Sequence, residues 1–450
     1  MSFKKNVLKN IIKLPPQLNN FLLAFNKKPE WIYGEKYKSY QTFIDSNHHG
    51  FDNTKKLIDL VNYAIQNIPY YKNLYAGLRM NNLDDFRKGI SFIDKQIVMS
   101  CHDDFISLNS NKCQYDNVTT GGTSGKPLNI LVPKDRYIKE LGTMHFLWSK
   151  AGYKYQTRAV IRNHHLLPEK DFVINPITKE VIFDGFRLCD DYFEIIYTLI
   201  KRFNIQFIHC YPSTAYEFSR FLYDSKKDCS FIKAFLSGSE NIIDYQKNLI
   251  NNKLGVKFYN WYGHSEKLLL GGYCQYSDYF HMEPTYGYFE LIDEKSEVID
   301  VPGKVGEIVG TTLDNYGMPL IRYRTDDYAE YVSHKCEACC RELSVIKNIK
   351  GRWSGEKIYN KDGTFVTTTA LNLHDELYAV INGIQFVQKE KGMLTVMIIK
   401  SDKYNDYYER KIIEYYKYKL KPDTEINIVY VDKLIKQSNG KFLHLISKVT

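Results

Sequence analysis

The chain has 450 residues, of which 44% are hydrophobic and 25% are charged, and its net charge is +9. This composition is typical of a globular protein and excludes the disordered and fibrous classes, while the length predicts two or three domains. The positive charge comes mostly from scattered lysines rather than from one dense basic block. It therefore favours anionic small-molecule partners, and we predict no nucleic-acid partner.

Apolar runs, the N-terminal stretch and the cysteines indicate where in the cell the protein is located. No apolar run approaches the ~18 to 20 residues of a membrane-spanning helix, so no transmembrane segment is predicted. The basic N-terminal stretch "MSFKKNVLKNIIKLPPQLNNFLLAF" is interrupted by "PPQ" and lacks a small-residue cleavage site. We interpret it as a surface helix that packs on the core, with peripheral contact to the inner membrane face as the alternative. Nine cysteines without a secretion signal indicate reduced thiols and a cytoplasmic protein.

The first part of the chain is predicted to be helical. In "TKKLIDLVNYAIQNI" apolar residues recur every three or four positions, which predicts a helix with one buried face. The residues of this stripe are Leu57, Leu60, Val61, Ala64 and Ile68. We assign residues 1–110 as a helical N-terminal segment.

From about residue 157, short apolar runs typical of strands alternate with amphipathic helical patterns. The succession is "RAVIR", "DYFEIIYTLIKRF", "IQFIHC", "TAYEFSRFLYD", "IKAFLSG", "IIDYQKNLINNKLG" and "VKFYNWYG". Strand and helix in regular alternation predict an α/β fold with mostly parallel sheets covered on both faces. Ligands of such sheets bind at the carboxyl ends of the strands, so the residues that follow each apolar run are candidates for a site.

Beyond about residue 350 the pattern changes again. There "GIQFVQKEKGMLTVMIIK" predicts a hairpin, "YNDYYERKIIEYYKYKL" a helix and "EINIVYVDKL" a strand. We therefore predict a large α/β domain over residues 1–350 and a small α+β domain over residues 351–450. A short hinge near "KGRWSGEK" would join them.

A glycine-rich stretch at residues 119–128 reads "TTGGTSGKPL". A Walker-type loop needs a glycine five residues before its Gly-Lys pair and a Ser or Thr after it, but Thr120 and Pro127 stand there. Pro127 also disfavours helix at the preceding residue, so Lys126 cannot open a phosphate-binding helix. What remains is a loop of backbone N–H groups, hydroxyls and one ammonium group, which suits a triphosphate.

This stretch resembles the phosphate loop of the adenylate-forming (AMP-binding) superfamily, and further superfamily elements follow it in order. "FLSGSE" resembles its G-G-E-like turn, "NWYGHSE" its Y-G-x-[ST]-E element and "KVGEIVGTTL" the strand that comes next. "IRYRTDDYAEY" resembles Y-R-T-G-D, "IKGRW" the Gly-Arg of the hinge and "SNGKFLHLIS" the C-terminal lysine loop. The chain is most similar to the phenylacetate-CoA ligase and CapK-type branch, which is often associated with bacterial capsule clusters.

The resemblance implies a site for ATP and AMP. Glu266 would bind Mg²⁺, Asp327 the ribose hydroxyls and Arg352 the ribose or a phosphate, while Lys441 and Lys126 would join Glu266 as catalytic residues. The other implied nucleotide contacts are Thr119, Thr120, Gly121, Gly122, Thr123, Ser124, Gly125, Ser239, Glu240, Asn260, Trp261, Tyr262 and Gly263. Asp326 replaces the glycine of Y-R-T-G-D, which leaves the assignment of the two aspartates open by one position.

Cysteine and histidine in two segments indicate a metal clip. Cys274 and His281 lie seven apart, and "HKCEACCRE" supplies Cys336 and Cys339 with Cys340 beside them. Thiolate and imidazole ligands can close a tetrahedral structural Zn²⁺ site. The branch resembled has C-x6-H followed by C-x-C-G-R, so Cys340 stands at its glycine and the choice between Cys339 and Cys340 stays open. The alternative is a set of buried, reduced cysteines.

The implied function is that of an ATP-dependent ligase with a small mobile C-terminal domain. It would activate a carboxylic acid as an acyl-adenylate, release pyrophosphate and pass the acyl group to an acceptor. The acceptor would be the thiol of coenzyme A or of a carrier, in capsule or surface polysaccharide biosynthesis, or alternatively an amine such as that of an aminosugar. Trp261 and Tyr262 suggest a pocket for an apolar or aromatic acid. A non-catalytic nucleotide-binding scaffold is the alternative from another class.

Overall fold

The computed structural model describes residues 18, 21–23, 28–120, 128–351, 356–371, 373, 377, 380–435 and 444–449. The helices are α1 (Pro29–Ser46), α2 (Thr54–Asn67), α3 (Pro69–Tyr75), α4 (Leu83–Gly89), α5 (Lys95–Ser100), α6 (Arg136–Ser149), α7 (Asp190–Arg202), α8 (Pro212–Asp224), α9 (Asp244–Asn248) and α10 (Asp406–Lys419). None of the helices in these ranges is long and apolar enough to cross a membrane.

The strands form four sheets. They are β1 (Tyr115–Thr120), β2 (Leu128–Pro133), β3 (Arg158–Arg162), β4 (Phe172–Asn175), β5 (Glu180–Asp184), β6 (Phe207–Cys210), β7 (Ala234–Gly238), β8 (Lys257–Gly263), β9 (Leu270–Tyr273), β10 (Phe280–Met282), β11 (Gly287–Ile292), β12 (Val305–Thr312), β13 (Tyr323–Lys335), β14 (Glu342–Lys350), β15 (Lys357–Tyr359), β16 (Phe365–Thr367), β17 (Ile381–Glu390), β18 (Met393–Lys400), β19 (Glu425–Tyr430) and β20 (Leu445–Ser447). The main sheet has the order β11-β12-β13-β14-β10-β9-β8-β7-β6-β3-β5-β4.

The N-terminal helices pack on the antiparallel side of the main sheet. All five residues of the predicted stripe are fully buried, and four of them lie on α2, which confirms the predicted helix. Asn53, just before α2, donates side-chain hydrogen bonds to the carbonyls of Pro284 and Gly287. The short helices that follow begin at side-chain caps, because Asn82 and Asp94 accept the free N–H groups of α4 and α5.

The main sheet confirms the α/β class but is less parallel than the sequence predicts. Neighbours are parallel only along β8-β7-β6-β3-β5, and every other pair in this sheet is antiparallel. The prediction of mostly parallel sheets is therefore wrong, because most neighbouring strands of the main sheet are antiparallel. Short connections such as residues 264–269 and 274–279 cannot hold a crossover helix, so the strands after β8 must turn back on themselves.

The parallel strands position the candidate site. Helices α7 and α8 connect β5 to β6 and β6 to β7, where the sequence predicted alternating strand and helix. Because β3, β5, β6, β7 and β8 run in one direction, the residues that follow them meet at one edge of the sheet.

The C-terminal part has a hydrophobic core of its own. Its sheet, of order β19-β18-β17-β20, contains the predicted hairpin and strand, and α10 packs on it through Ile412 and Tyr416. Phe186 of the N-terminal part joins this second core, and Lys357 forms an ion pair with Glu217 of α8. The division after residue 350 stays a prediction, which the two separate cores support.

Candidate active site

A cleft of about 510 Å³ opens at the carboxyl edge of the parallel strands. It brings together residues from the ends of β7 and β8, from the loop after β8 and from β13. The sequence-predicted residues that line it are Ser239, Glu240, Asn260, Trp261, Tyr262, Gly263, Glu266 and Asp327. Elements that are up to 88 residues apart in the chain thus meet at one opening.

The turn after β7 is built for close packing. A Cβ on Gly238 would lie 2.5 Å from the Trp261 ring, so only glycine fits there, and Ser239 follows with a positive φ of 74°. The Glu240 carboxylate accepts hydrogen bonds from the N–H and hydroxyl of Ser213, at 3.1 and 2.6 Å. Its side chain therefore satisfies the start of α8, while the turn itself faces the cleft.

Strand β8 presents polar groups to the cleft. Asn260 Oδ1 and Trp261 Nε1 are buried and have no hydrogen-bond partner among the described residues. Such atoms cost free energy unless a ligand or water satisfies them. Tyr262 donates a hydrogen bond of 2.9 Å to Asp327 Oδ2. Burial, and then the Asp327 charge, raise the pKa of Tyr262 well above its ordinary value, so the phenol stays protonated and acts as a donor.

A bulge in β13 aims Asp327 into the cleft. The pairing of β12 with β13 shifts register between Val309 and Glu307, which leaves room for the residues around Asp326. Asp326 has a φ of 59°, the left-handed conformation that favours glycine. It is exposed, whereas Asp327 lines the cleft. The backbone explains why a glycine stands at the Asp326 position in the superfamily motif.

Glu266 lies in the loop after β8, and its side chain is only 10% exposed. Its carboxylate lies 3.8 Å from His264 Nδ1, which is too long for a hydrogen bond. The adjacent Lys267 is paired with Glu140 instead. A carboxylate with oxygens to spare at an open cleft fits a hard cation such as Mg²⁺.

The hairpin β1-β2 frames the phosphate loop. Its strands pair from Tyr115 opposite Pro133 to Thr120 opposite Leu128, the residues on either side of the segment 121–127. Thr119 is not among the residues that line the cleft. Its hydroxyl donates a hydrogen bond to Asn129 Oδ1 on β2, at 3.0 Å. The remaining predicted site residues lie outside the described residues: Gly121, Gly122, Thr123, Ser124, Gly125, Lys126, Arg352 and Lys441.

Two site residues were missed by the sequence reasoning. Arg162 ends β3 and reaches the cleft turn, where it donates to Ser239 Oγ at 3.1 Å. Asn241 holds the backbone of Gly351, donating to its carbonyl at 3.2 Å, and thereby ties the cleft to the end of β14. Both follow an apolar strand, and this position is the signal that could have found them.

A second cluster lies on the antiparallel side of the sheet. The ligand atoms of Cys274, His281, Cys336 and Cys339 all lie within 4.8 Å of one another. Cys274 Sγ and Cys336 Sγ are 3.9 Å apart. Two thiolates on a tetrahedral zinc, with bonds of about 2.3 Å, would be about 3.8 Å apart. His281 Nε2 is buried without a hydrogen-bond partner in the described part of the chain.

The chemistry of this cluster also fits a metal. Burial lowers the pKa of His281 to about 4, so its ring is neutral and can donate a lone pair. Burial, followed by the Cys336 and Cys274 thiols, raises the pKa of Cys339 to about 12. A thiolate at Cys339 therefore needs a cation. Cys340 is exposed and has a φ of 59°, the backbone of the glycine that the related motif carries there.

Comparisons with known proteins match the C-terminal part in sequence and the chain in fold. Residues 358–448 match the family model of the CapK C-terminal domain. No curated protein sequence matches the chain. The structure of 2-hydroxyisobutyryl-CoA ligase with 2-HIB-AMP and CoA, in the thioesterification state, has a TM-score of 0.56 at 13% identity, over 88% of this chain and 89% of that one. Its postadenylation state with 2-HIB-AMP has a TM-score of 0.53 at 13% identity, over 88% of each chain.

The chain therefore has the fold of the adenylate-forming ligases. Residues 358–448, ninety-one residues near the C-terminal end, match the CapK C-terminal domain, which confirms the resemblance to CapK-type proteins in this part of the chain. The α/β fold class with a small C-terminal α+β unit is confirmed as well.

Proposed function

We propose that the protein is an ATP-dependent ligase that activates a carboxylic acid as an acyl-adenylate and releases pyrophosphate. The observation that carries this proposal is the convergence of Asn260, Tyr262, Glu266 and Asp327 on one open cleft. These groups supply a hydrogen-bond acceptor, an aromatic ring, a carboxylate without a cation and a fixed second carboxylate. This combination suits adenosine and a metal-bound phosphate better than it suits any purely apolar ligand.

The described residues suggest how the nucleotide lies. Asn260 Oδ1 lacks a partner and would accept a hydrogen bond from the exocyclic amine of adenine. Asp327, held by the Tyr262 phenol, would accept hydrogen bonds from the two ribose hydroxyls. Because Tyr262 remains protonated, its phenol keeps donating to Asp327 Oδ2 and holds the carboxylate in its orientation.

The chemistry is attack of the acid carboxylate on the α-phosphorus of ATP. Such a reaction between anions needs charge neutralisation and positioning more than it needs a general base. Mg²⁺ held by Glu266 would supply positive charge beside the phosphates. Lys441 and Lys126, assigned from sequence, would contact the reacting carboxylate and the leaving pyrophosphate respectively.

For the second step we propose thioester formation with the thiol of coenzyme A or of a carrier. The similar fold of 2-hydroxyisobutyryl-CoA ligase, which was solved with CoA, supports a thiol. The CapK C-terminal domain supports a role in capsule or surface polysaccharide biosynthesis, and there an amine acceptor such as an aminosugar is the second candidate. In either case the acceptor displaces AMP from the acyl-adenylate.

We also propose that Cys274, His281, Cys336 and Cys339 hold a structural Zn²⁺. All four positions are protein ligands, so no coordination site stays open for a substrate. The bidentate ion pair of Arg341 with Glu283, at 2.7 and 2.8 Å, lies directly after the cluster and is buried. The zinc would therefore fix the antiparallel side of the sheet rather than take part in the reaction.

The proposed function is tested by measuring pyrophosphate release from Mg-ATP with a panel of carboxylic acids. The panel is run alone, with coenzyme A and with aminosugars, so that the acceptor is identified by the product. We expect release that depends on one class of acid and falls at least about a hundredfold in Lys441→Ala. Lys433→Ala is the matched control, because Lys433 is exposed in the same C-terminal part.

Three outcomes distinguish the alternatives. Release that no acid stimulates, together with normal binding of Mg-ATP, would favour the non-catalytic scaffold. Release that is the same in Lys441→Ala would remove Lys441 from the mechanism. An amide product with an aminosugar and no thioester with coenzyme A would select the second acceptor.

A further inference from the structure

Arg162 is held rigidly at the edge of the cleft. It is the last residue of β3, and its Nη1 lies 2.7 Å from His209 Nε2 on the neighbouring strand β6. Its Nη2 donates to Ser239 Oγ, and its guanidinium stacks 4.3 Å from the centre of the Tyr211 ring. Three elements thus fix one side chain, which is the preorganisation expected of a recognition group.

Within the described ranges its charge has no anionic partner, unlike that of the buried arginines. Arg136, Arg158, Arg322 and Arg341 contact the carboxylates of Asp314, Glu180, Glu290 and Glu283 respectively. No carboxylate among the described residues forms an ion pair with Arg162. Its hydrogen bonds in the described part of the chain go to the neutral groups of His209 and Ser239, so an anionic ligand would be stabilised beside this partly buried cation.

The nearest acidic groups have other partners. Asp184 lies directly opposite Arg162 on the parallel strand β5, where an ion pair would be expected. Its carboxylate instead accepts the backbone N–H groups of Leu166 and Phe186, at 3.0 and 2.8 Å. The Glu240 carboxylate is occupied by Ser213. The positive charge of Arg162 therefore lies next to the cleft, behind Ser239 and Tyr211, which line it.

His209 binds the Arg162 guanidinium as a neutral ring, so it leaves the charge of the pair unchanged. Desolvation, and then the Arg162 charge, lower the pKa of His209 well below its ordinary value. The neutral ring accepts a hydrogen bond from the guanidinium through Nε2, and it packs edge-to-face on Trp148, with ring centres 5.0 Å apart. The pair keeps a net charge of +1 and contacts two aromatic rings, those of Tyr211 and Trp148.

The position of the guanidinium also fits the acid rather than the phosphates. Ser239 follows β7, and β8 with the proposed nucleotide contacts is its neighbour, about 4.8 Å away. Glu266, the proposed Mg²⁺ ligand, follows β8, which is separated from β3 by the strands β7 and β6. A small acid whose reacting carboxylate lies by Glu266 would extend its other end towards Arg162.

We propose that Arg162 selects carboxylic acids that carry a second carboxylate, so that the substrate is a dicarboxylic acid. This inference rests on the proposed function, because it assumes that the cleft holds an acid beside the nucleotide. The distal carboxylate would form a charge-assisted pair with the guanidinium, whose orientation His209, Ser239 and Tyr211 fix. The Tyr211 ring, which lines the cleft beside the guanidinium, would contact the carbon chain between the two carboxylates.

The test is equilibrium binding of matched acids to the full chain by calorimetry with saturating AMP. Each dicarboxylic acid is paired with the acid in which a methyl group replaces the distal carboxylate: succinate with butyrate, glutarate with pentanoate, and terephthalate with 4-methylbenzoate. We expect at least one dicarboxylic acid to bind about tenfold or more tightly than its partner. In Arg162→Gln this ratio should fall to near one, while AMP affinity is unchanged. Arg162→Lys should restore part of the ratio.

Arg202→Gln is the control for charge, because Arg202 is an exposed arginine in the last turn of α7. Equal binding within every pair, no binding of any dicarboxylic acid, or a ratio that survives in Arg162→Gln would overturn the inference. A fall of AMP affinity in Arg162→Gln with an unchanged ratio would do so too. Pyrophosphate release with monocarboxylic acids alone would refute only this inference. Selective binding of a dicarboxylic acid without release from any acid would refute only the proposed function.

Discussion

The cleft and the Cys/His cluster lie on the same sheet, and both hold buried polar atoms without a hydrogen-bond partner in the described ranges, but the two regions differ in how open they are to solvent. In the cleft, Asn260 Oδ1 and Trp261 Nε1 lack partners in the described part of the chain, and the opening reaches solvent. In the cluster, the four ligand atoms face one another and Cys274 and Cys336 are buried. The first arrangement suits a ligand that enters and leaves, and the second suits an ion that stays.

The two regions share one backbone feature, which sharpens the comparison. Asp326 beside the cleft and Cys340 beside the cluster both have a φ of 59°. In each region the exposed residue with positive φ adjoins the residue with the functional group, Asp327 or Cys339. Asp326 and Cys340 therefore serve as matched controls, because each adjoins the functional residue in the chain without being part of the site.

The largest effect is expected from loss of a cluster ligand. In Cys336→Ser the zinc content should fall from about one ion per chain to near zero. The free energy of unfolding should drop by several kcal/mol, because metal binding contributes to folding. Elemental analysis and urea unfolding measure the two quantities. Cys340→Ser should keep its zinc, and a zinc-free wild-type protein prepared without chelator would refute the metal site.

The next effect is expected from Asp327→Asn. We expect AMP to bind about ten to a hundredfold more weakly, since the variant loses charge-assisted hydrogen bonds to the ribose. Zinc content and unfolding should stay close to wild type. Calorimetric titration with AMP measures the change, and Asp326→Asn removes the same charge from the adjacent, exposed position. Equal losses in the two variants would show a general charge effect instead of a specific contact.

A smaller, conditional effect is expected from Glu266→Gln. ATP affinity in the presence of Mg²⁺ should fall about tenfold, while ATP affinity with chelator should match that of the wild type. Titrations with and without Mg²⁺ separate the two conditions. A loss of affinity of the same size under both conditions would mean that Glu266 supports the loop and does not hold the cation.

The smallest effect is expected from the two residues with positive φ, Asp326 and Cys340, and it concerns stability. Asp326→Gly and Cys340→Gly should each raise the free energy of unfolding by up to about 1 kcal/mol, because glycine adopts a positive φ without strain. AMP affinity and zinc content should not change. Urea unfolding measures the stability. Destabilisation of either variant would show that the side chain contributes more than its backbone conformation costs.

The sequence predicted those parts of the molecule that depend on local pattern. The α2 stripe, the alternation of strand and helix before β8 and the elements of the C-terminal part follow from spacing alone, and the ordered motifs led to Asn260, Tyr262, Glu266 and Asp327. The antiparallel side was missed because short strands such as β9 and β10 have no alternation to distinguish them. The choice between Asp326 and Asp327 needed the backbone conformation of the bulge.

Arg162 shows why the rest could not be predicted. In "RAVIR" it resembles Arg158, which opens the same strand and pairs with Glu180. Only the three-dimensional arrangement shows that Asp184, opposite Arg162, accepts backbone N–H groups instead of pairing with the guanidinium. Contacts between distant segments decide which of two similar residues is structural.

The central claim is that the cleft forms an acyl-adenylate, and exchange of labelled pyrophosphate into ATP tests it most directly. This partial reaction needs no acceptor, so it does not depend on whether a thiol or an amine follows. We predict exchange that requires both Mg²⁺ and a carboxylic acid, and that Asp327→Asn reduces while Asp326→Asn does not. Absence of acid-dependent exchange in a protein that binds Mg-ATP would contradict the account.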